Sequence, residues 1–196
     1  MKYQIQYDQN EHLPNLLGLK TNEEVALAEF EGFLKAEILL TESLKNNTKL
    51  NVKYIFRIHQ LALGQLYEFA GKYRTVNLSK GGFVFASAQF LHQSMLSFEE
   101  TFLKEIPNST NIITQVAKTH AELLFIHPFR EGNGRTSRIF TNLYCRKYGY
   151  QAPKWELINE QNLMESYIRS VQQAGLQNYK PMEKLIEQIW GGSLQP

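Results

Sequence analysis

One short segment holds most of the residues of this chain that are suited to chemistry: His127-Pro-Phe-Arg-Glu-Gly-Asn-Gly-Arg-Thr-Ser-Arg138. Pro128 biases His127 away from helical backbone angles, so a helix ending near Ile126 should release the imidazole at its C-terminal edge. Gly132, Asn133 and Gly134 are residue types that tolerate positive φ, which lets the loop gather its backbone N–H groups into one concavity, an anion nest. A helix starting directly afterwards, at Arg135, would aim its unpaired first-turn N–H groups and the positive end of its dipole at the same point. Arg135 and Arg138 fall three apart, on neighbouring positions of one helical face, and offer two guanidinium forks to further phosphate oxygens. The spacing predicts a polyphosphate site.

Glu131 and His127 complete the set. A carboxylate beside a phosphate nest repels the ligand unless a hard divalent cation bridges the two, which makes Glu131 a candidate Mg²⁺ ligand. A neutral imidazole beside that phosphate can accept a proton from an attacking hydroxyl, which makes His127 a candidate general base. Taken singly, each feature has a plainer meaning: a histidine at a helix end, a Gly-Asn-Gly turn, two arginines on a solvated face. Taken together, they are the set that phosphoryl-type chemistry requires. Phe129 stands apart as a structural residue expected to pack in the core and pin the loop.

The elements that must position this segment read mostly as helices. Thr21 with Glu24 is a capping box, followed by apolar residues near helical spacing to about Lys45. Asn51 is the expected N-cap of a second helix that runs past Leu66 and stops at Gly71. Further helices are predicted over 88–105, 111–126, 135–148, 157–174 and 181–190. Residues 75–86 differ, with two short β-branched and aromatic runs around Gly81-Gly82, a hairpin signature whose exposed edge can pair with an extended peptide. The expected fold class is therefore mainly α with one small β-hairpin.

Composition bounds the remaining possibilities. A chain of 196 residues with 43% apolar content reads as one domain able to bury a core without staples. Its single cysteine excludes a disulfide framework and a Cys-rich zinc module, and fits a reducing cytoplasm. No leader-like N-terminus and no apolar run of about 20 residues is present, so a cytoplasmic protein without membrane contact is expected. With 21 Lys+Arg against 19 Asp+Glu, the formal charge of +2 argues against direct nucleic-acid binding, including a helix-turn-helix reading of Arg135 and Arg138.

The segment resembles the Fic motif, HPFx[D/E]GNGRxxR, and matches it at every specified position. Upstream, residues 66–80 are similar to the family's segment leading into its flap hairpin, and 15–31 to its N-terminal helical region. The resemblance implies a compact helical Fic fold with a hairpin flap over 1–196, with the core at about 15–150 and a helical C-terminal extension at about 151–190. It implies a protein adenylyltransferase using ATP as co-substrate and Mg²⁺, with a target protein that bears a Tyr, Thr or Ser hydroxyl. By this resemblance His127 is the base and Glu131 holds the metal. Gly132, Asn133 and Gly134 form the anion hole, and Arg135 and Arg138 contact outer phosphates. Ser79, Lys80, Gly81, Gly82 and Phe83 belong to the flap, where a target segment docks by strand addition.

Within the family, Gly134 stands where kinase-type members carry Lys, and Gly132 where phosphocholine transferases carry Ala, so AMP transfer is favoured over both. Transfer of UMP or GMP, and an idle nucleotide-binding module, remain the alternatives. The family's inhibitory motif [S/T]xxxE[G/N] is absent: outside the loop Glu31-Gly32 is the only Glu-Gly or Glu-Asn pair, and Leu27 occupies the Ser/Thr position. Inhibition is therefore expected from a separate antitoxin-like protein reaching Arg138, with Glu31 as the internal rival.

Overall fold

The computed structural model describes residues 13–192 apart from Gly81 and Gln161. Helix α1 (Asn22–Glu42) begins with the capping box: Glu24 N–H donates to the Thr21 hydroxyl at 3.1 Å, and Thr21 N–H donates to the Glu24 carboxylate at 3.1 Å. Its inner face carries Val25, Glu29, Phe33, Ala36 and Leu40. Helix α2 (Val52–Leu63) is capped by the Asn51 side chain, which accepts from Tyr54 N–H at 3.0 Å. The two helices touch backbone to backbone, since a Cβ on Gly32 would lie 2.0 Å from the Ala62 carbonyl oxygen. The apolar pattern beyond α2 continues through Leu66, Tyr67 and Ala70, but these buried residues lie in turns; helix ends at Leu63, not near Gly71.

A two-stranded antiparallel hairpin follows, β1 (Ser79–Lys80) and β2 (Phe83–Val84), with Ser79 opposite Val84 and Lys80 opposite Phe83. It is shorter than the expected 75–86, because the flanking residues turn away to meet a buried arginine described below. A 3₁₀ turn at Ala88–Phe90 leads into α3 (Leu91–Phe102). Helix α4 (Ile112–Ile126) is buried nearly all round, because α3, α5, α7 and α8 pack against it. Helix α5 (Asn133–Lys147) is the other central helix and also touches α1 and α2.

The helix expected over 157–174 is broken. A single turn, α6 (Leu157–Glu160), is separated from α7 (Met164–Ala174) by Asn162 at φ +54°, a left-handed angle that ends a right-handed helix. Helix α8 (Lys180–Gln188) starts with proline in its first turn, where the missing N–H costs nothing. Among the described residues no helix is long and apolar enough to cross a membrane.

Candidate active site

Helix α4 ends at Ile126, and His127 takes the left-handed position after it, at φ +52° and ψ +59°. This is an uncommon angle for a side chain larger than glycine, and the surroundings hold it in place. His127 N–H still donates to Leu123 O at 3.1 Å, and the ring nitrogen Nδ1 lies 3.0 Å from Leu124 O. A carbonyl can only accept, so Nδ1 carries the proton and Nε2 presents a lone pair, the tautomer a general base needs. Burial lowers the imidazole pKa to about 4, with Arg74 and Lys80 nearby adding to the effect. The ring stacks on Phe85, centroid to centroid 3.8 Å.

Arg74 organises this end of the molecule. Its backbone N–H donates to Pro128 O at 2.9 Å, and its buried guanidinium donates to His127 O at 2.7 Å, Val76 O at 2.6 Å, Ile126 O at 3.3 Å and Ala86 O. A cation at the end of α4 also faces the negative end of the helix dipole. Because Val76 and Ala86 are the two legs of the hairpin, one side chain ties the flap to the backbone of His127. Beyond that clamp Ser79, Lys80 and Val84 are exposed, Gly82 turns at φ +80°, and the Phe83 ring packs edge-on to Phe85 at 5.4 Å. Gly81 lies outside the described residues.

The loop between the helices is fixed by its own side chains. Phe129 is buried, stacked on His59 at 3.9 Å and edge-on to Phe56 at 4.9 Å. The Asn133 side chain is spent on the loop: Phe129 N–H donates to its Oδ1 at 2.9 Å and its Nδ2 donates to Phe129 O at 2.8 Å. His59 spans the far side, where Gly71 N–H donates to Nδ1 at 2.8 Å and Nε2–H therefore donates to Glu131 O at 3.0 Å.

Helix α5 starts at Asn133, two residues earlier than expected, so of the three nest residues Gly132 alone has positive φ, at +75°. The concavity is thus one left-handed N-cap glycine followed by the first turn of α5, where no side chain caps the N–H groups of Asn133, Gly134 and Arg135. The Gly132 N–H is taken by Glu131 Oε1 at 2.8 Å. A Cβ on Gly134 would meet nothing within 4 Å; a mid-turn helical glycine costs about 1 kcal/mol against alanine, and here it leaves the mouth of the nest open.

The two arginines are held by different neighbours. Arg135 donates to Glu29 at 2.7 Å, lies 3.5 Å from Glu131 and packs 4.7 Å from the Phe33 ring centre. Glu29 also accepts from the Tyr67 hydroxyl at 2.7 Å. Arg138 instead lies over Trp155 and Tyr167, 5.7 and 5.6 Å from their ring centres. Glu31, two positions from Glu29 and hence about 200° around α1, is exposed and pairs with Lys35 at 3.5 Å. It does not face the loop.

The sequence profile of the Fic/DOC family matches residues 49–145, the stretch that contains α2, the hairpin and the whole loop. The chain belongs to the Fic/DOC family. A protein adenylyltransferase Fic of Nematostella vectensis is 27% identical over 133 residues, covering 67% of this chain and 30% of that protein. The protein adenylyltransferase VbhT of Bartonella schoenbuchensis is 28% identical over 166 residues, covering 80% of this chain and 33% of that one. The chain spans about a third of the length of these relatives. Among solved structures, the N-terminal Fic domain of a putative cell filamentation protein of Bartonella quintana, with bound ADP, superposes at a TM-score of 0.77. It has 21% identity over 95% of this chain and 94% of that one. The fold is the Fic fold.

Several residues around the Fic loop carry no motif signal: His59, His120, Trp155 and Tyr167 stand outside every segment that resembles the family. Arg74 and Tyr67 fall within the segment that resembles the approach to the Fic flap, and Glu29 within the one that resembles the family's N-terminal helical region. Cys145, the single thiol, is buried near the C-terminal end of α5 and burial pushes its pKa up to about 12, so it is no nucleophile.

Gly132 provides a test of the Fic loop's packing. A Cβ there would come within 2.9 Å of Phe33 Cζ and 3.0 Å of Leu63 Cδ1, at a φ that disfavours any side chain. Gly132→Ala should therefore lose about 2–4 kcal/mol of stability, from left-handed strain plus overpacking. Urea denaturation measures it, and an unchanged midpoint would show that the loop yields freely.

Proposed function

We propose that this chain transfers AMP from ATP to a hydroxyl group of a target protein. The observation that carries the reading is the His127 tautomer: Nδ1–H is committed to Leu124 O, leaving the Nε2 lone pair as the base. Nε2 takes the proton of the target hydroxyl, the freed oxygen bonds to the α-phosphorus, and the bond from that phosphorus to the β-bridging oxygen breaks as pyrophosphate leaves. First-turn N–H groups of Asn133, Gly134 and Arg135 receive the phosphates, Gly132 shapes the turn, and Arg135 and Arg138 neutralise the outer charge. The adenylyltransferase names of both relatives and the ADP in the Bartonella quintana domain support this assignment.

The residues fit a divalent ion held through substrate. Among the described residues no three His, Cys, Asp or Glu side chains cluster, but Mg²⁺ commonly takes one or two carboxylates plus phosphates and water. The half-exposed Glu131 carboxylate would hold it, and the ion supplies charge neutralisation at the phosphates. The flap supplies an exposed edge for a target strand, with the target's backbone pairing along 79–84.

Control is proposed to come from a separate antitoxin-like protein. Two observations support it: Glu31 faces solvent, and α1 exposes Leu27, Phe30, Leu34 and Ile38 at helical spacing, an apolar stripe that suits a partner helix. The buried, unreactive thiol is in keeping with a cytoplasmic setting.

One experiment tests these statements together. The purified chain, without added factors, is incubated with ATP, Mg²⁺ and a cell lysate, and proteins are analysed by mass spectrometry. The expected result is the mass of one AMP on a defined hydroxyl, lost with EDTA and with Glu131→Ala. Modification by UTP or GTP in preference to ATP would move the assignment to another nucleotide, and nucleotide binding with no adduct would leave a binding module. An inactive chain awakened by changes on α1 would place the inhibitor within it.

A further inference from the structure

Arg138 is held in an unusual way. Its Nε is buried with no hydrogen-bonding oxygen or nitrogen, and among the described residues it forms no ion pair. A charged guanidinium in such a place needs either an anion or aromatic faces, and two rings flank it. Each ring is pinned from behind. Trp155 Nε1 donates to Asn142 Oδ1 at 2.8 Å, and Asn142 Nδ2 donates to Glu37 at 2.6 Å. The other face of the arrangement is His120, wholly buried in α4 and stacked on Trp155 at 4.6 Å.

The polarity of the hydrogen bonds through His120 can be worked out from its end. The Thr141 hydroxyl donates to Ser137 O at 2.8 Å, so it accepts from His120 Nδ1–H, also at 2.8 Å. Nε2 is then an acceptor, and the Tyr167 hydroxyl must donate to it at 2.9 Å. With its proton committed to His120, the phenol oxygen turns its lone pairs to the Arg138 guanidinium beside it. The chain runs one way, from Arg138 to the Ser137 carbonyl, one residue before the arginine itself.

We propose that Trp155, Tyr167 and His120 are positioning residues that hold the Arg138 guanidinium at the mouth of the nest, aimed at the outer phosphates of the nucleotide. The inference rests on the phosphate-binding reading of Arg138 and adds the segment after α5 to the site. Among the described residues no carboxylate pairs with Arg138 to compete with a ligand, whereas Arg135 shares its guanidinium with Glu29.

Titration calorimetry of the full chain with ATP, and with AMP, which lacks the outer phosphates, tests this without requiring transfer. Trp155→Leu should weaken ATP about 10-fold and AMP less than about 2-fold, while Trp155→Phe keeps most of the ATP affinity. In an Arg138→Ala background Trp155→Leu should cost nothing further, because the interaction it serves is already gone. Should Trp155→Leu fail to fold, Tyr167→Phe, which removes one oxygen, should weaken ATP roughly 3–10-fold with AMP unchanged. Equal losses for ATP and AMP, or losses that add to that of Arg138→Ala, would overturn the proposal and leave these residues as core. Because both readouts are of binding, a wrong assignment of the transferred group would not affect either result.

Discussion

His127→Ala is expected to lower the rate of AMP transfer by about 10²–10⁴-fold while ATP binds almost as before. The nest, the first turn of α5 and both arginines owe nothing to the imidazole. Its ring contacts are Phe85 and the Leu124 carbonyl, neither of which touches the N–H groups that would receive phosphate. Single-turnover transfer and calorimetric ATP affinity separate the two effects. Transfer at the wild-type rate would remove His127 from the mechanism, and a parallel loss of ATP affinity would mean that the loop had collapsed. The wild-type pH profile carries a related expectation. With its pKa lowered to about 4 by burial, His127 is already deprotonated across the neutral range, so the acid limb of the rate should lie below the ordinary histidine value of about 6.5.

Acid should unfold this protein early. His59 and His120 are wholly buried, and burial lowers their pKa values to about 4 and about 3. An unfolded histidine takes its proton near pH 6.5, so between there and pH 4 the unfolded state binds more protons than the folded one. Stability is fully present above pH 6.5 and is lost as pH falls toward the folded pKa values, at about 1.4 kcal/mol per pH unit for each group. By pH 5 the two together cost about 4 kcal/mol and His127, lowered to about 4 in the same way, adds about 2 kcal/mol, a drop in Tm of roughly 15 °C for a chain of this size. Thermal melts at pH 7.5 and pH 5 measure it, and coincident melts would contradict the buried neutral state of both rings. The consequence is local as well as global, since His59 carries Glu131 O and His120 carries Tyr167.

The hydrogen-bond partners explain why some of this was legible in the sequence and some was not. His127, Glu131, Gly132, Arg135 and Arg138 lie within one covalent stretch, so their spacing alone places them around a helix start, and the motif they spell is specific enough to name a family. The capping box at Thr21 and the N-cap at Asn51 are likewise local, because a cap bonds three residues along. Boundaries proved less readable. The α5 start moved to Asn133 because that side chain closes the loop on Phe129, and the helix over 157–174 broke where Asn162 goes left-handed.

The sequence by itself determined the chemistry available: a base, a carboxylate, an uncapped helix start and two guanidinium groups, on a mainly helical chain with one hairpin. Tertiary structure decided how that chemistry is aimed. Arg74 reaches His127 across 53 positions, His59 reaches Glu131 across 72, and Glu29 reaches Arg135 across 106. No pattern of neighbouring residues encodes such pairs. They form because α1, α2 and α4 bury their apolar faces against α5, and α1 and α2 against each other, and burial then obliges each enclosed polar group to find a partner from whichever distant element packing has brought beside it.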